Sequence, residues 1–362
     1  MASFYYAWYS VEVPLDVLKV GILTTASFLI ALAFTPFLTH FLYSYKLWRK
    51  EVRTKALDGS GTPIFAKLHG EHETRVPRMG GVLIWGSTTI LAMATAVLAK
   101  TVDGSLFDKL NFVSRSQTWL PLFTLVSASL VGLVDDVLQV FGKGGYIAGG
   151  LKLRHRIGMV ALLGFIGAWW FYSRLSVSSV HVPFFGSIEL GVLFIPFFVL
   201  VMLAVFSGGV VDGLDGLAGG VFATIFSAYG IIALLQNQTD IAAFCGVIAG
   251  ALLAFLWFNI PPARFFAGET GILGLTCALT VVAFLTNAVL VLPIIGIILV
   301  VESGSVIVQL MSKRFRGRKI FLSTPIHHHF EALGWPAYKV TMRFWVVSAV
   351  AALLGVVVQL LG

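Results

Sequence analysis

Apolar residues along this chain gather in blocks about as long as a lipid bilayer is thick, and polar residues gather in the gaps between them. Reading for runs of roughly 17–25 apolar residues predicts ten spans, near 17–43, 80–99, 118–141, 157–173, 189–207, 217–236, 241–259, 271–286, 288–312 and 340–361. The pattern predicts an all-α integral membrane protein of about ten transmembrane helices. Between two of the spans, SVSSVHVPFFGSIEL (176–190) alternates β-branched and polar residues around a Phe-Gly turn, which predicts a short hairpin. No gap is large enough for a soluble domain, so residues 1–362 read as a single polytopic domain.

Composition agrees with the pattern: 58% of residues are hydrophobic and 12% are charged. The first 17 residues are aromatic and acidic without Lys or Arg, which reads as an interfacial lead-in rather than a cleavable signal. Cys245 and Cys277 fall in separate spans and suggest neither a disulfide framework nor a metal site.

The net charge of +8 is not that of a nucleic-acid binder, because it is sorted by side. With the spans threaded alternately, all but Lys19, Lys100, Lys109, Arg115 and Arg174 of the 25 basic residues fall on one side. Basic loops stay in the cytoplasm. Loops 44–79, 142–156, 208–216, 260–270 and 313–339 are therefore expected inside, with both termini and the hairpin on the periplasmic side.

The acidic residues then converge. Asp135, Asp136, Asp212, Asp215 and Glu269 all lie at span ends or in short loops of that inner side. Carboxylates at membrane depth cost a few kcal/mol each on insertion scales, so such a cluster points to a reacting site. Asp135 and Asp136 are neighbours and point roughly 100° apart on a helix; one can bind a cation or orient a substrate while the other acts as a base. In SGGVVDGLDGLAGG (207–220), Asp212 and Asp215 would share a face if a helix begins there, and the glycines admit a phosphate or sugar close to the backbone. Capping is the competing explanation.

In FLWFNIPPARFFAGETGILGL (255–275), a span ends at Asn259, a Pro-Pro pair follows, and Glu269 opens the next helix. Glu269 is either a helix-start carboxylate or a hard oxygen ligand for Mg²⁺. Glu302, inside the ninth span beside Ser303 and Ser305, fits a packed polar contact as well as a substrate role. In STPIHHHFEALGW (323–335), three consecutive histidines cannot all ligate one ion from a regular helix. They read as a neutral-to-cationic cluster for pyrophosphate or protons. The basic run KRFRGRK (313–319) before it suits anionic lipid headgroups. Acids, Mg²⁺, histidine and arginine at one membrane surface suit phosphoryl transfer between a lipid and a cytosolic substrate. An ion or proton transporter is the alternative, although transporter sites sit near the bilayer midplane.

The motifs VPRMGG (76–81), VGLVDD (131–136), GLKLRHR (150–156), VDGLDGLAGG (211–220), FLWFN with FFAGETG (255–271) and PIHHHFEALGWP (325–336) followed by RFW (343–345) run over nearly the whole chain. By them the chain resembles the polyprenyl-phosphate N-acetylhexosamine-1-phosphate transferases, and within these the muramoyl-pentapeptide branch, to which the triple histidine with GW and RFW is specific. The resemblance implies a ten-helix homodimer in the bacterial inner membrane. It implies transfer of phospho-MurNAc-pentapeptide from UDP-MurNAc-pentapeptide to undecaprenyl phosphate with Mg²⁺, giving lipid I and UMP. It also implies roles: Asp135 as base toward the lipid phosphate, Asp136 and Glu269 at the metal, and His327, His328 and His329 as the histidine motif. Asp212, Asp215, Asn259, Phe266 and Gly268 would meet the nucleoside and its phosphates, and Arg154 and Arg156 the polyprenyl phosphate; Arg78, in the VPRMGG motif, is a further candidate for substrate binding. The chain departs from the family pattern at Glu269, where that pattern has Asp, at Ile272 for Ser, at Phe206 and Gly209 for Asn, and at Glu73 and Arg78 for Lys and Thr. The PRMGG form is also similar to the GlcNAc-1-phosphate and teichoic-acid branches, which makes a related UDP-HexNAc the alternative donor.

Overall fold

The structure, a computed structural model, describes residues 15–50, 61, 69–70, 73–102, 104–114, 116–142 and 150–362. Of the lead-in expected over the first 17 residues, 1–14 lie outside the described residues and the last three already belong to the first helix; most of the middle of loop 44–79 also lies outside them. Its helices are α1 (Leu15–Ser44), α2 (Val82–Thr101), α3 (Ser105–Leu110), α4 (Ser116–Phe141), α5 (Leu153–Arg174), α6 (Phe194–Ser207), α7 (Leu217–Leu235), α8 (Thr239–Asn259), α9 (Gly268–Leu285), α10 (Leu292–Ile295), α11 (Ile297–Arg316), α12 (Ile326–Ala332) and α13 (Ala337–Leu361). Among the described residues nine helices are long and apolar enough to span a bilayer, and ten if one bent pair counts as a crossing. The protein is a multi-pass membrane protein.

The bent pair is where sequence and structure differ most. The run 288–312 reads as one continuous span, but the chain breaks at Gly296, and Val289–Ile295 meets α11 at 80°. Beyond the break, α11 is two-sided. Glu302, Ser305, Gln309 and Ser312 are buried, while Ile307, Val308, Met311 and Phe315 are exposed on the outside of the bundle.

At the centre stands α9, buried along nearly its whole length and packed against α4. The approach is backbone to backbone: a Cβ on Gly132 would lie 2.2 Å from the carbonyl oxygen of Glu269, and one on Gly274 would lie 2.0 Å from Ser129 Oγ. Buried hydroxyls that lipid cannot satisfy return to their own helix. Thr35, Ser87, Thr276, Thr280 and Thr286 each donate to the carbonyl four residues back. Apolar side chains of α1 and α13, such as Phe37, Phe41, Val350 and Leu353, are exposed on the periphery, as a lipid-facing surface requires.

The expected hairpin is present. Strands β1 (Ser179–Val182) and β2 (Gly186–Glu189) pair antiparallel, with Ser179 opposite Glu189 and Val182 opposite Gly186. The N–H of His181 donates to Asn287 Oδ1, just past the end of α9. This fixes the hairpin at the end of the bundle opposite to the start of α9.

Candidate active site

The ends of α4, α6 and α8 and the starts of α2, α5, α7 and α9 meet at one end of the bundle, and the acidic motifs meet there with them. Asp135 and Asp136 lie near the C-terminal end of α4, both buried. As their helical offset demands, they face different partners. Asp135 accepts from Gln139 Nε2 at 2.8 Å and from the N–H of Leu151, and Arg156 lies 3.7 Å away. Asp136 accepts from the N–H of Thr270 at 2.9 Å, with Arg78 Nε at 3.4 Å. The first turn of α9 thus plugs onto one carboxylate and the start of α5 onto the other.

Glu269 sits in that first turn, paired with Arg156. One guanidinium therefore stands between Glu269 and Asp135. Gly268 ahead of it has φ +70, and a Cβ there would lie 2.4 Å from Asp136 Oδ2. The third acidic motif does not form the helix start that the sequence suggests. Residues Gly208–Val211 make a 3-10 turn, α7 starts only at Leu217, and the two aspartates diverge. Asp212 accepts from the N–H of Gly268 at 3.2 Å, whereas Asp215 accepts from the N–H of Ala263 at 3.0 Å.

Asn259 ties the same loops together. Its Oδ1 accepts from the N–H of Gly216 at 3.0 Å and its Nδ2 donates to the Phe265 carbonyl at 2.8 Å. Phe266 is half-buried, its backbone bridging Pro77 and Gly80. Arg154 is exposed at the start of α5, on the rim.

Electrostatics follow from this crowding. Burial alone would lower the Arg78 pKa, but Asp136, Asp212, Glu73 and Glu269 outweigh it and hold the guanidinium above its ordinary value. Burial pushes Asp212 up to about 6, against the pull of Arg78 and the Gly268 N–H. Four carboxylates, Asp135, Asp136, Asp212 and Glu269, face Arg78 and Arg156. That excess of hard oxygen donors fits Mg²⁺, which takes one or two carboxylates and completes its shell with water and phosphate oxygens.

The three histidines separate. His327 is fully buried, its Nδ1 2.8 Å from Glu302 Oε2, while its buried Nε2 has no hydrogen-bond partner among the described residues and points at Gly213. His328 Nδ1 lies 2.7 Å from Glu331 Oε2, and that oxygen is also 2.9 Å from His69 Nε2. Burial and the neighbouring His327 push His328 down to about 3, so it is neutral at physiological pH. Burial works against ionisation of Glu331, but its bonds to His328 and His69 prevail and bring it to about 2. His329 Nδ1 accepts from the N–H of Leu322.

Two features of the site escape the sequence reading. Arg49 pairs with Glu73 at 2.7 Å and donates through Nε to Gln139 at 3.1 Å, so a buried chain Glu73, Arg49, Gln139 ends on Asp135. Gln139 stands four residues after Asp135, a spacing that places both on one helical face and could have flagged it. Arg49 carries no such signal. Glu302 was legible as a buried acid, but nothing local names His327 as its partner.

Residues 118–287 match glycosyl transferase family 4. The chain is 32% identical over 360 residues to the phospho-N-acetylmuramoyl-pentapeptide-transferase of Chloroflexus aggregans, covering 96% of this chain and 91% of that one. It is 34% identical to the enzyme of that name from Geobacillus sp. over 92% of this chain and 95% of the other. With the one from Levilactobacillus brevis identity is 36%, over 79% and 85%. Identity sustained over nearly the full length of such relatives, on a multi-pass helical frame whose acidic loops converge, places this chain in the phospho-N-acetylmuramoyl-pentapeptide-transferase family.

Proposed function

We propose that this protein transfers phospho-MurNAc-pentapeptide from UDP-MurNAc-pentapeptide to undecaprenyl phosphate, forming lipid I and UMP. The observation that carries the reading is the meeting of Asp135, Asp136, Asp212 and Glu269 with Arg78 and Arg156 at one end of the bundle. A lipid phosphate reaches such a site from the bilayer and a nucleotide from the water. The active face is cytoplasmic, the membrane is the bacterial inner membrane, and the working unit is a homodimer.

In the reaction an oxygen of the lipid phosphate attacks the sugar-bearing phosphorus of the donor, the diphosphate P–O bond breaks, and UMP leaves. Asp135 accepts any proton on the attacking phosphate. Its hydrogen bonds from Gln139 and Leu151 hold it as an acceptor aimed out of α4. Arg156 and Arg78 take the phosphate charge, with Arg154 on the approach. Mg²⁺, when bound, neutralises charge on the diphosphate, and Glu269 and Asp136 are the residues that would hold it. Asp212, Asp215, Asn259, Phe266 and Gly268 shape the nucleotide side, and His327 presents a free Nε2 to the Gly213 loop.

Purified protein with UDP-MurNAc-pentapeptide, undecaprenyl phosphate and Mg²⁺ should release UMP, and Asp135→Asn should abolish the release. Omitting Mg²⁺ should do the same. A donor panel read by product mass spectrometry should show the muramoyl pentapeptide used; turnover only with UDP-GlcNAc, or no UMP from any donor, would refute the assignment.

A further inference from the structure

We propose that His69, His328 and Glu331 form a second metal site, for a zinc-class divalent ion, distinct from the carboxylate cluster that faces the phosphates. The inference rests on this geometry and not on the transfer reaction. The three residues come from opposite ends of the chain, His69 from the segment before α2 and the other two from α12. Their donor atoms all lie within 4.8 Å of one another. Both imidazoles converge on one carboxylate oxygen, at 2.9 and 2.7 Å, with the rings 5.1 Å apart. The pocket is largely shielded: side-chain exposure is 16% for His69 and 7% for His328 and Glu331.

The spacing of His328 and Glu331, three residues apart on a helix, sets both on one face. Zinc bonds of 2.0–2.2 Å in tetrahedral geometry require donors roughly 3.3 Å apart. Reaching that from the distances present takes shifts of about 1 Å or less at the two oxygen contacts. Two imidazoles and one carboxylate suit zinc and its neighbours in the transition series. Mg²⁺ prefers six oxygens and would not compete there. The described residues supply three ligands, the number used by zinc sites that keep a fourth position for water.

The run of three histidines is thereby divided. His327 serves Glu302, His329 serves Leu322, and only His328 joins the ion. Consecutive helical residues point roughly 100° apart, so no single ion could use all three. The missing ligand that a His-His-His motif cannot provide comes from His69. An ion there would tie His69 to the helix that carries His327; Glu73, four positions later in sequence, is linked through Arg49 and Gln139 to Asp135.

The test uses the full-length protein in nanodiscs with Mg²⁺ in excess, Co²⁺ as spectroscopic probe and Zn²⁺ as competitor. One tightly held Co²⁺ per chain is expected, with visible d–d bands of a low-coordinate site, displaced by Zn²⁺ and counted by elemental analysis. His69→Ala and Glu331→Gln should each weaken binding by more than the roughly 10–100-fold that loss of an outer-sphere partner costs. His181→Ala, at the far end of the bundle, should bind like the unaltered protein. If His69→Ala fails to fold, His69→Cys keeps a ligand in place and should bind Co²⁺ with a new thiolate charge-transfer band. Binding no greater than background, or binding unaffected by both Glu331→Gln and loss of His69, overturns the proposal.

Discussion

His327 Nδ1 lies 2.8 Å from Glu302, and both side chains are sealed from solvent. In the tautomer with its proton on Nδ1, facing the carboxylate, the imidazole leaves the Nε2 lone pair for a partner. Glu302 would thus be a positioning residue for His327. Glu302→Gln should lower kcat about 100-fold, the lower end of what a placed acid–base group contributes, with little change in KM; an unchanged kcat would remove the role. Asp212 gives a signature in stability. Its folded value of about 6 lies above the ordinary 3.8, so the folded chain binds a proton more tightly than the unfolded chain. The Tm should therefore rise as pH falls from about 6 toward about 4, and Asp212→Asn should flatten that rise. The acids themselves were legible because charge at membrane depth is costly. Their partners were not: Arg49 and Gln139 are separated by 90 positions, and His69 and Glu331 by 262, so no local pattern connects them.

Between elements, the distance that matters is the one between α4 and α9. Gly132 lets the α4 backbone touch the carbonyl of Glu269, and this sets how far Glu269 stands from Asp135 and Asp136. Gly132→Ala would push the start of α9 outward. Misplacement of about 1 Å can cost on the order of 100-fold in rate, so activity should fall by that order while the protein still inserts and purifies; full activity would show that α9 adjusts without moving Glu269. Element existence was readable from sequence because bilayer thickness sets the length of an apolar run. Breaks were less so. Asn259 ends α8 where Pro261 and Pro262 follow, a local signal. The 80° bend at Gly296 depends on what packs around it, and the apolar run passes straight through. Likewise Asp212 and Asp215 look like a helix start by spacing, yet tertiary partners at Gly268 and Ala263 draw them apart.

At the scale of the molecule, the sorted charge and the position of the hairpin make one sided prediction. Phe185, 85% exposed at the hairpin tip, lies at the opposite end from the active-site loops. Cys245 and Cys277 are both buried and should stay silent toward a membrane-impermeant maleimide. Phe185→Cys should label in intact spheroplasts and Arg316→Cys only after permeabilisation; the reverse pattern would invert the orientation proposed for the active face. The pairing of Glu302 with His327 has a further consequence, for biogenesis. Ribosomes deliver the chain from its N-terminus, so the aspartate pair of α4 and the first turn of α9 enter the membrane well before α12 is made. Until α12 folds back onto α11, the buried acid of α11 has no imidazole and the loop at Gly213 has no Nε2 in front of it. A nascent chain stalled after α11 would carry all four carboxylates but not yet His327.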